Sequence, residues 1–266
     1  MPRAAAFFDL DRTLMAGSSA FAFAREARRA GLMSRRQIAA DALANLAFRL
    51  RGSTDAGTDA LRDRVGRAVQ GVPVRDLQRM GPGILADVLP RVYPEMLREA
   101  YAHQDAGRPV FIVTAASQEL AEVVAAVLIF DGAIGSGWER EGEVYTGRAI
   151  EPFTYREGKA EAIRLLARDE GFDLAGSWAY SDSGSDLPML RAVGNPVAVN
   201  PDGELERVAR EQGWRVMRFE RLRRRLAIGA AALGAAVVGG AGRRVVRRRQ
   251  APTPMRSRVV VPLRRR

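Results

Sequence analysis

Two carboxylates at the end of an apolar run are the strongest chemical signal in this chain. Residues 4–8 read Ala-Ala-Ala-Phe-Phe, and Asp9 and Asp11 follow, with Thr13 two places further on. A short apolar run followed by polar residues predicts a buried strand of a parallel sheet. Because side chains alternate along a strand, the two acids leave its end on the same side. Such a pair can hold a hard cation, or divide nucleophilic and acid–base roles; the plainer alternative is a polar turn with a capping acid.

A second apolar run, residues 109–114, ends at Thr114 and leads into a predicted helix from Gln118. The Thr114 hydroxyl and the backbone from Ala115 onward would form a phosphate cradle at such a strand-to-helix junction. The alternative is that Thr114 and Ser117 only cap the following helix.

Lys159 stands out because it is the one lysine of a chain in which lysine and arginine total 42. A lysine retained in such a composition indicates a place where a compact ammonium is needed and a planar guanidinium does not fit, although chance is the alternative. Lys159 also lies at the start of a predicted helix that begins at Gly158.

A second pair of acids, Asp182 and Asp186, follows a short apolar strand near residues 177–181. Pro188 starts a predicted helix, which places Asp186 just before its first turn. An ordinary turn explains one capping acid there more easily than two.

In chain order, the four motifs are carried by Asp9 with Asp11, Thr114, Lys159, and Asp182 with Asp186. In content and order they resemble the haloacid dehalogenase superfamily of phosphohydrolases. The resemblance covers about residues 4–205. The segment between the first two motifs is similar to the helical cap of the phosphoserine-phosphatase-like branch, subfamily IB.

The resemblance implies a role for each motif. Asp9 would attack phosphorus, and Asp11 would protonate the leaving alcohol and then activate water. Thr114 and Ala115 would bind the phosphoryl oxygens, and Lys159 would neutralise the charge of phosphate and nucleophile. Because a dehalogenase has no leaving oxygen to protonate, Asp11 favours phosphate-ester chemistry.

Magnesium is the implied cofactor, since Mg²⁺ prefers carboxylate and water ligands. Its implied ligands are Asp9, the backbone carbonyl of Asp11, Asp182, and Asp186 directly or through water. The implied function is Mg²⁺-dependent hydrolysis of a small phosphorylated metabolite, phosphoserine-like or a lipid phosphate, through an aspartyl phosphate. The alternatives are a phosphotransferase or phosphomutase with the same intermediate, and a non-catalytic scaffold associated with membrane or nucleic acid.

The first-motif loop bears on the substrate. Phosphoserine phosphatases of this branch usually carry an acid shortly after the first motif, and this acid binds the amine of the substrate. Here Met15–Ala20 contains no acid, and the next acid is Glu26. The resemblance therefore identifies the reaction better than the substrate.

The predicted fold class is α/β, with a Rossmann-like core built on a parallel sheet, an inserted helical cap and a C-terminal hydrophobic and basic tail. The predicted core consists of residues 1–14 and 91–219, the cap of residues 15–90, and the tail of residues 220–266. Strands are predicted near residues 4–8, 109–114, 177–181 and 197–199. Helices are predicted in the cap over residues 21–30, 34–51 and 55–70.

Composition excludes several rival chemistries. The chain has no cysteine, which excludes thiolate nucleophiles, disulfides and cysteine-ligated zinc. Its one histidine, His103, falls in a predicted helix over residues 95–106 and is expected at the surface or at the helix end. A Ser-His-Asp triad would depend on that residue alone.

The basic charge of the chain belongs to the tail. Residues 220–266 hold fourteen arginines and one acid, a net +13, so residues 1–219 carry −2 of the total of +11. Residues 226–242 have no polar side chain and lie between arginines. As a helix they would span about 25 Å, slightly less than a hydrocarbon core of about 30 Å.

Three interpretations of this tail remain open. The first is a C-terminal membrane anchor, the second a helix on an anionic membrane surface, and the third a disordered basic tail that contacts nucleic-acid phosphates without sequence specificity. No signal peptide is predicted, because the first apolar run leads directly into the acidic motif, so the catalytic domain is expected to be cytoplasmic.

Overall fold

A computed structural model describes residues 3–31 and 55–219 of the chain. The helix predicted over residues 34–51 and the candidate membrane segment 226–242 lie outside the described residues. Within the described residues, no helix is both long enough and apolar enough to cross a membrane.

Seven strands of the described chain form one sheet in the order β4-β3-β2-β1-β5-β6-β7. The strands are β1 (Ala6–Phe8), β2 (Val110–Ser117), β3 (Gly132–Glu141), β4 (Val144–Ile150), β5 (Trp178–Ser181), β6 (Asn195–Val199) and β7 (Arg215–Met217). Neighbouring strands are parallel except for β3 and β4, which form an antiparallel hairpin at one edge. This confirms the predicted α/β class.

Helices connect the strands. They are α1 (Ser19–Arg29), α2 (Asp55–Val69), α3 (Val74–Arg79), α4 (Gly81–Val88), α5 (Pro94–Asp105), α6 (Gln118–Val127), α7 (Glu157–Glu170), α8 (Leu187–Arg191) and α9 (Gly203–Glu211). The described part of residues 15–90 is helical and contains none of the seven strands. The boundaries drawn between core and cap stay predictions.

The core explains why β1 is apolar along its whole length. Successive side chains of a strand face opposite sides, and helices cover both faces of a parallel sheet. Phe7 packs into a cluster with Ile163 and Leu187. On the other face, the Phe8 ring stacks on Tyr180 with centroids 4.2 Å apart. This two-sided packing holds the strand that ends at the first acidic motif.

The prediction for His103 is wrong in part. The residue does lie in the last turn of α5, but it is buried, with 5% of its surface exposed. Its ring packs edge-on against Tyr180, and its Nε2 atom lies 2.8 Å from the Tyr180 hydroxyl. Because α5 packs on the sheet here, the His103 ring is buried, and the Tyr180 hydroxyl serves as its hydrogen-bond partner.

Strands β3, β4 and β7 were not among the predicted strands. The sequence of β3 begins Gly132-Ala-Ile-Gly-Ser-Gly, which lacks the pattern of a strand. The structure shows why one glycine is required, since a Cβ at Gly135 would lie 2.8 Å from backbone atoms of Gln118. Close packing of β3 on the start of α6 therefore requires glycine at this position, and glycine weakens the sequence pattern by which a strand is recognised.

The helical insert is joined to the β3–β4 hairpin by backbone hydrogen bonds. The amide of Gly71 donates to the carbonyl of Tyr145 at 2.9 Å, and the amide of Tyr145 donates to Val72 at 3.1 Å. The amide of Val74 donates to the carbonyl of Glu143 at 2.9 Å. The segment after α2 thus pairs with the β3–β4 hairpin through three backbone hydrogen bonds.

Candidate active site

The predicted site residues gather at one edge of the sheet. Strands β2, β1 and β5 are neighbours and run parallel, so their carboxyl ends meet at that edge. Asp9 directly follows β1, Thr114 lies in β2, and Asp182 directly follows β5. Lys159 reaches the same edge from the first turn of α7.

A buried ammonium joins two of the predicted acids. Lys159 Nζ donates to Asp9 Oδ1 at 2.6 Å and to Asp186 Oδ2 at 2.7 Å. All three residues are buried, and the Ser181 hydroxyl also donates to Asp186 Oδ2 at 2.8 Å. The geometry agrees with the expectation that the lone lysine marks a place for a compact cation.

The buried acids outnumber the buried cation, and the pKa values of two of these acids are raised. Burial raises the pKa of Asp9 to about 8; the charges of Asp186 and Asp182 add to this effect, and Lys159 opposes it. Burial likewise raises the pKa of Asp182 to about 7, against the opposing charge of Arg12. A further positive charge at this edge would therefore favour the ionised carboxylates.

The same carboxylates keep Lys159 protonated. Burial by itself lowers the pKa of a lysine, but Asp186 and Asp9 outweigh burial and raise the pKa of Lys159 above its ordinary value. The ammonium therefore stays charged throughout the neutral pH range.

Asp11 has different surroundings from Asp9. Its Oδ2 accepts the Ser18 hydroxyl at 2.8 Å, and its Oδ1 accepts the Ser19 amide at 2.7 Å. Ser18 is also the N-cap of α1, where its hydroxyl oxygen accepts from the amide of Ala20 at 3.3 Å. The start of α1 thus positions the second acid, and sequence reasoning missed Ser18 although serine before a helix is a recognisable cap signal.

Asp182 is paired with an arginine of the first motif. Arg12 Nη2 lies 2.5 Å from Asp182 Oδ2, and the Thr13 hydroxyl donates to Asp182 Oδ1 at 3.4 Å. Sequence reasoning assigned Arg12 no role. Nothing in the local sequence indicates that its guanidinium would reach a strand end about 170 residues away, because that contact exists only once β1 and β5 pair.

Of the two hydroxyl residues in the predicted phosphate cradle, one caps the following helix and the other does not. Ser117 is the N-cap of α6, whereas the buried Thr114 hydroxyl accepts from the amide of Ala116 at 3.2 Å. Ala115 is exposed, and its carbonyl accepts the Ser136 hydroxyl at 3.1 Å. Within the described residues, Thr114 shares the sheet edge with the acids but hydrogen-bonds to none of them.

A further residue missed by sequence reasoning, Asp202, shapes the loop that carries Asp182 and Asp186. Asp202 Oδ2 accepts from the Gly184 amide at 3.0 Å and from the Ser183 hydroxyl at 3.2 Å. Its other oxygen caps α9. An Asp before a predicted helix can be recognised as a cap from the sequence. Its hydrogen bonds to the loop that carries Asp182 and Asp186 cannot be recognised in that way.

The acids at this edge offer oxygen donors to a metal ion. Within residues 3–31 and 55–219, no group of three or more acidic or histidine side chains has the arrangement of a metal site. The donors are nonetheless carboxylate oxygens, the ligand type that Mg²⁺ prefers, and their raised pKa values favour an added cation. The donor chemistry therefore fits a hard divalent cation.

Comparisons with known proteins agree with this geometry. Residues 6–191 match the haloacid dehalogenase-like hydrolase family. Over 252 residues the chain is 38% identical to the phosphoserine phosphatase SerB1 of Mycobacterium tuberculosis, covering 93% of this chain and 81% of that protein. It is also 38% identical to a probable phosphatase of the same bacterium, covering 82% of this chain and 76% of that protein.

A solved structure supports the fold. A protein of unknown function from Bordetella pertussis Tohama I superposes with a TM-score of 0.71 at 27% identity, covering 82% of this chain and 99% of that one. With the family match extending over most of the described sheet, the chain belongs to the haloacid dehalogenase-like hydrolases and is an enzyme of their phosphatase type.

Proposed function

We propose that the chain hydrolyses small phosphomonoesters through a covalent phosphate on Asp9. The observation that carries this proposal is the contact of buried Asp9 with Lys159 at the sheet edge. Lys159 binds Asp9 Oδ1, which leaves Oδ2 as the oxygen for attack on phosphorus. Phosphoryl transfer depends mainly on positioning and charge neutralisation, and this pair supplies both.

In the first step, an Asp9 oxygen bonds to phosphorus and the bond between phosphorus and the ester oxygen breaks. Asp11 gives its proton to the leaving oxygen, so that an alcohol departs. In the second step, Asp11 takes a proton from water, the water oxygen bonds to phosphorus, and the bond to Asp9 breaks. The first step leaves Asp9 phosphorylated and releases the alcohol; the second releases phosphate and restores both acids to their starting forms.

The positions of the two acids support this division of roles. Asp9 is buried beside an ammonium, whereas Asp11 is half-buried and held by Ser18 and the amide of Ser19. Asp11 is therefore a separate carboxyl group that can give a proton in the first step and take one from water in the second. Thr114 and the backbone of Ala115 are proposed to bind phosphoryl oxygens.

We further propose Mg²⁺ as the cofactor. Asp9, the backbone carbonyl of Asp11, Asp182 and Asp186 would hold it, with Asp186 binding directly or through water. When bound, the ion supplies positive charge that favours ionised Asp9 and the charge on the phosphoryl oxygens. The raised pKa values of Asp9 and Asp182 support a need for that charge.

The proposed substrate is phosphoserine-like or a lipid phosphate. A relative's name as a phosphoserine phosphatase supports the first. Against it, Met15–Ala20 contains no acid, and Glu26 is already paired with Arg29. Phosphate release from a panel that includes phosphoserine and lysophosphatidate separates the two, and a balance of free against transferred phosphate tests the phosphotransferase alternative.

Replacement of the nucleophile tests the mechanism. In Asp9→Asn, an amide replaces the attacking carboxylate, so phosphate release from a generic ester with Mg²⁺ should fall roughly a thousandfold or more. Asp169→Asn is the matched control, because Asp169 is exposed and, among the described residues, forms its ion pair with Arg168 beside it. Full activity in Asp9→Asn would sink the aspartyl-phosphate mechanism.

A further inference from the structure

The ion pair of Arg12 with Asp182 has no part in the proposed reaction. Lys159 contacts Asp9 and Asp186, while Asp182 is contacted by Arg12 at 2.5 Å. The buried acids are therefore divided between two cations of the protein itself.

The Arg12 side chain is much more exposed than the acid that it contacts. The side chain of Arg12 is 40% exposed and that of Asp182 is 7% exposed. Arg12 occupies Oδ2, one of the two carboxylate oxygens through which the buried Asp182 could bind an ion. The other oxygen, Oδ1, accepts the Thr13 hydroxyl at 3.4 Å.

We propose that Arg12 competes with the divalent cation for Asp182 and lowers the affinity of the site for that cation. This inference rests on the proposed Mg²⁺ dependence. A guanidinium and a metal ion repel each other and cannot both approach Asp182 Oδ2 closely. A cation that binds Oδ2 therefore displaces the Arg12 side chain, and the 40% exposure of Arg12 gives it room to move toward solvent.

The backbone at Arg12 suggests a clean variant. Arg12 has φ of 61°, in the left-handed region that asparagine tolerates better than most residues. Arg12→Asn therefore removes the positive charge without adding strain to the loop between β1 and α1. Arg207→Asn is the matched control, because the exposed Arg207 pairs with Glu211 along α9 and contacts none of the acids of the site.

The test is calorimetric titration of Mg²⁺ into the metal-free full chain, with Mg²⁺-induced stabilisation against heat as a second readout. Arg12→Asn should bind Mg²⁺ about tenfold more tightly than the wild type, because a repelling charge is removed. Arg207→Asn should bind as the wild type does. Unchanged or weaker Mg²⁺ binding in Arg12→Asn, with a normal wild-type titration, would overturn the role of Arg12 alone.

Two other outcomes separate this inference from the proposed function. If neither the wild type nor Arg12→Asn binds Mg²⁺, both the metal dependence and the competition are wrong. If Arg12→Asn binds Mg²⁺ tightly and the wild type binds it weakly, the competition is supported whatever the phosphatase panel shows.

Discussion

At the scale of single residues, the two acids of the first motif have separate electrostatic surroundings. Asp9 contacts a buried ammonium, and Asp11 accepts two hydrogen bonds from the start of α1. Identical side chains two residues apart thus have different hydrogen-bond partners, which suits separate roles as nucleophile and proton carrier. The assignment of these roles stays a proposal, while the separation itself is a feature of the structure.

Lys159 is the residue whose chemical type is most tightly constrained. It is 3% exposed and bonded to two carboxylates, so the larger planar guanidinium of Lys159→Arg cannot place one nitrogen between both oxygens. Phosphatase kcat should fall roughly a hundredfold, while circular dichroism shows a folded protein. Arg164→Lys, at an exposed position of the same helix, is the control and should keep its rate. Wild-type kcat in Lys159→Arg would contradict the argument.

At the scale of elements, α2 and β4 approach each other through glycines. A Cβ at Gly66 would lie 2.4 Å from the Gly147 carbonyl oxygen, and a Cβ at Gly147 would lie 2.7 Å from the Gly66 carbonyl oxygen. Such backbone proximity leaves no space for a methyl group. The helical insert is therefore fixed to the hairpin by close packing as well as by the hydrogen bonds of the segment that follows α2.

Gly66→Ala tests this contact. Alanine favours a helix by about 1 kcal/mol over glycine, but the overlap with backbone should cost about 1–3 kcal/mol and prevail. Urea unfolding should therefore show a lower free energy of unfolding, by up to about 2 kcal/mol. Gly81→Ala is the control, because a Cβ there meets no atom within 4 Å and stability should not fall. Equal stabilities of the two variants would show that α2 and β4 move apart at little cost.

At the scale of the whole molecule, a polar network runs from the buried His103 to the exposed Arg215 and links three elements. The Arg108 Nε donates to His103 Nδ1 at 2.7 Å, so the ring proton lies on Nε2, which faces the Tyr180 hydroxyl. Tyr180 then donates to Glu99 at 3.2 Å, and Arg215 of β7 also binds Glu99. The network joins α5, β5 and β7, and it holds His103 neutral.

This network predicts a loss of stability in mild acid. Burial, aided by Arg108 and Arg215, lowers the pKa of His103 to about 4, against an ordinary value of 6.5. Between these values the unfolded chain takes up a proton that the folded protein does not, so stability falls as pH decreases through that window. From pH 7 to pH 5, the wild type should lose about 2 kcal/mol more than His103→Gln in urea unfolding. Equal losses would show that His103 is not the group responsible.

The sequence predicted elements well where the local signal was strong. Strands β1, β2, β5 and β6 and the helices from Ser19, Asp55, Pro94 and Gln118 lie where patterns indicated them. The glycine-rich β3 and the short β7 were not predicted, because tertiary packing and not local preference stabilises them. The membrane interpretation of residues 226–242 concerns residues outside the described structure and stays a prediction.

The amino-acid sequence by itself determined the order of acids, hydroxyl and lysine along the chain, the absence of thiol chemistry and the concentration of basic charge after residue 219. These follow from residue types and short-range patterns. Only the tertiary structure decided which cation contacts which acid: Lys159 on Asp9 and Asp186, and Arg12 on Asp182. Those contacts span up to 170 residues of chain and arise because strand order brings β1 and β5 together.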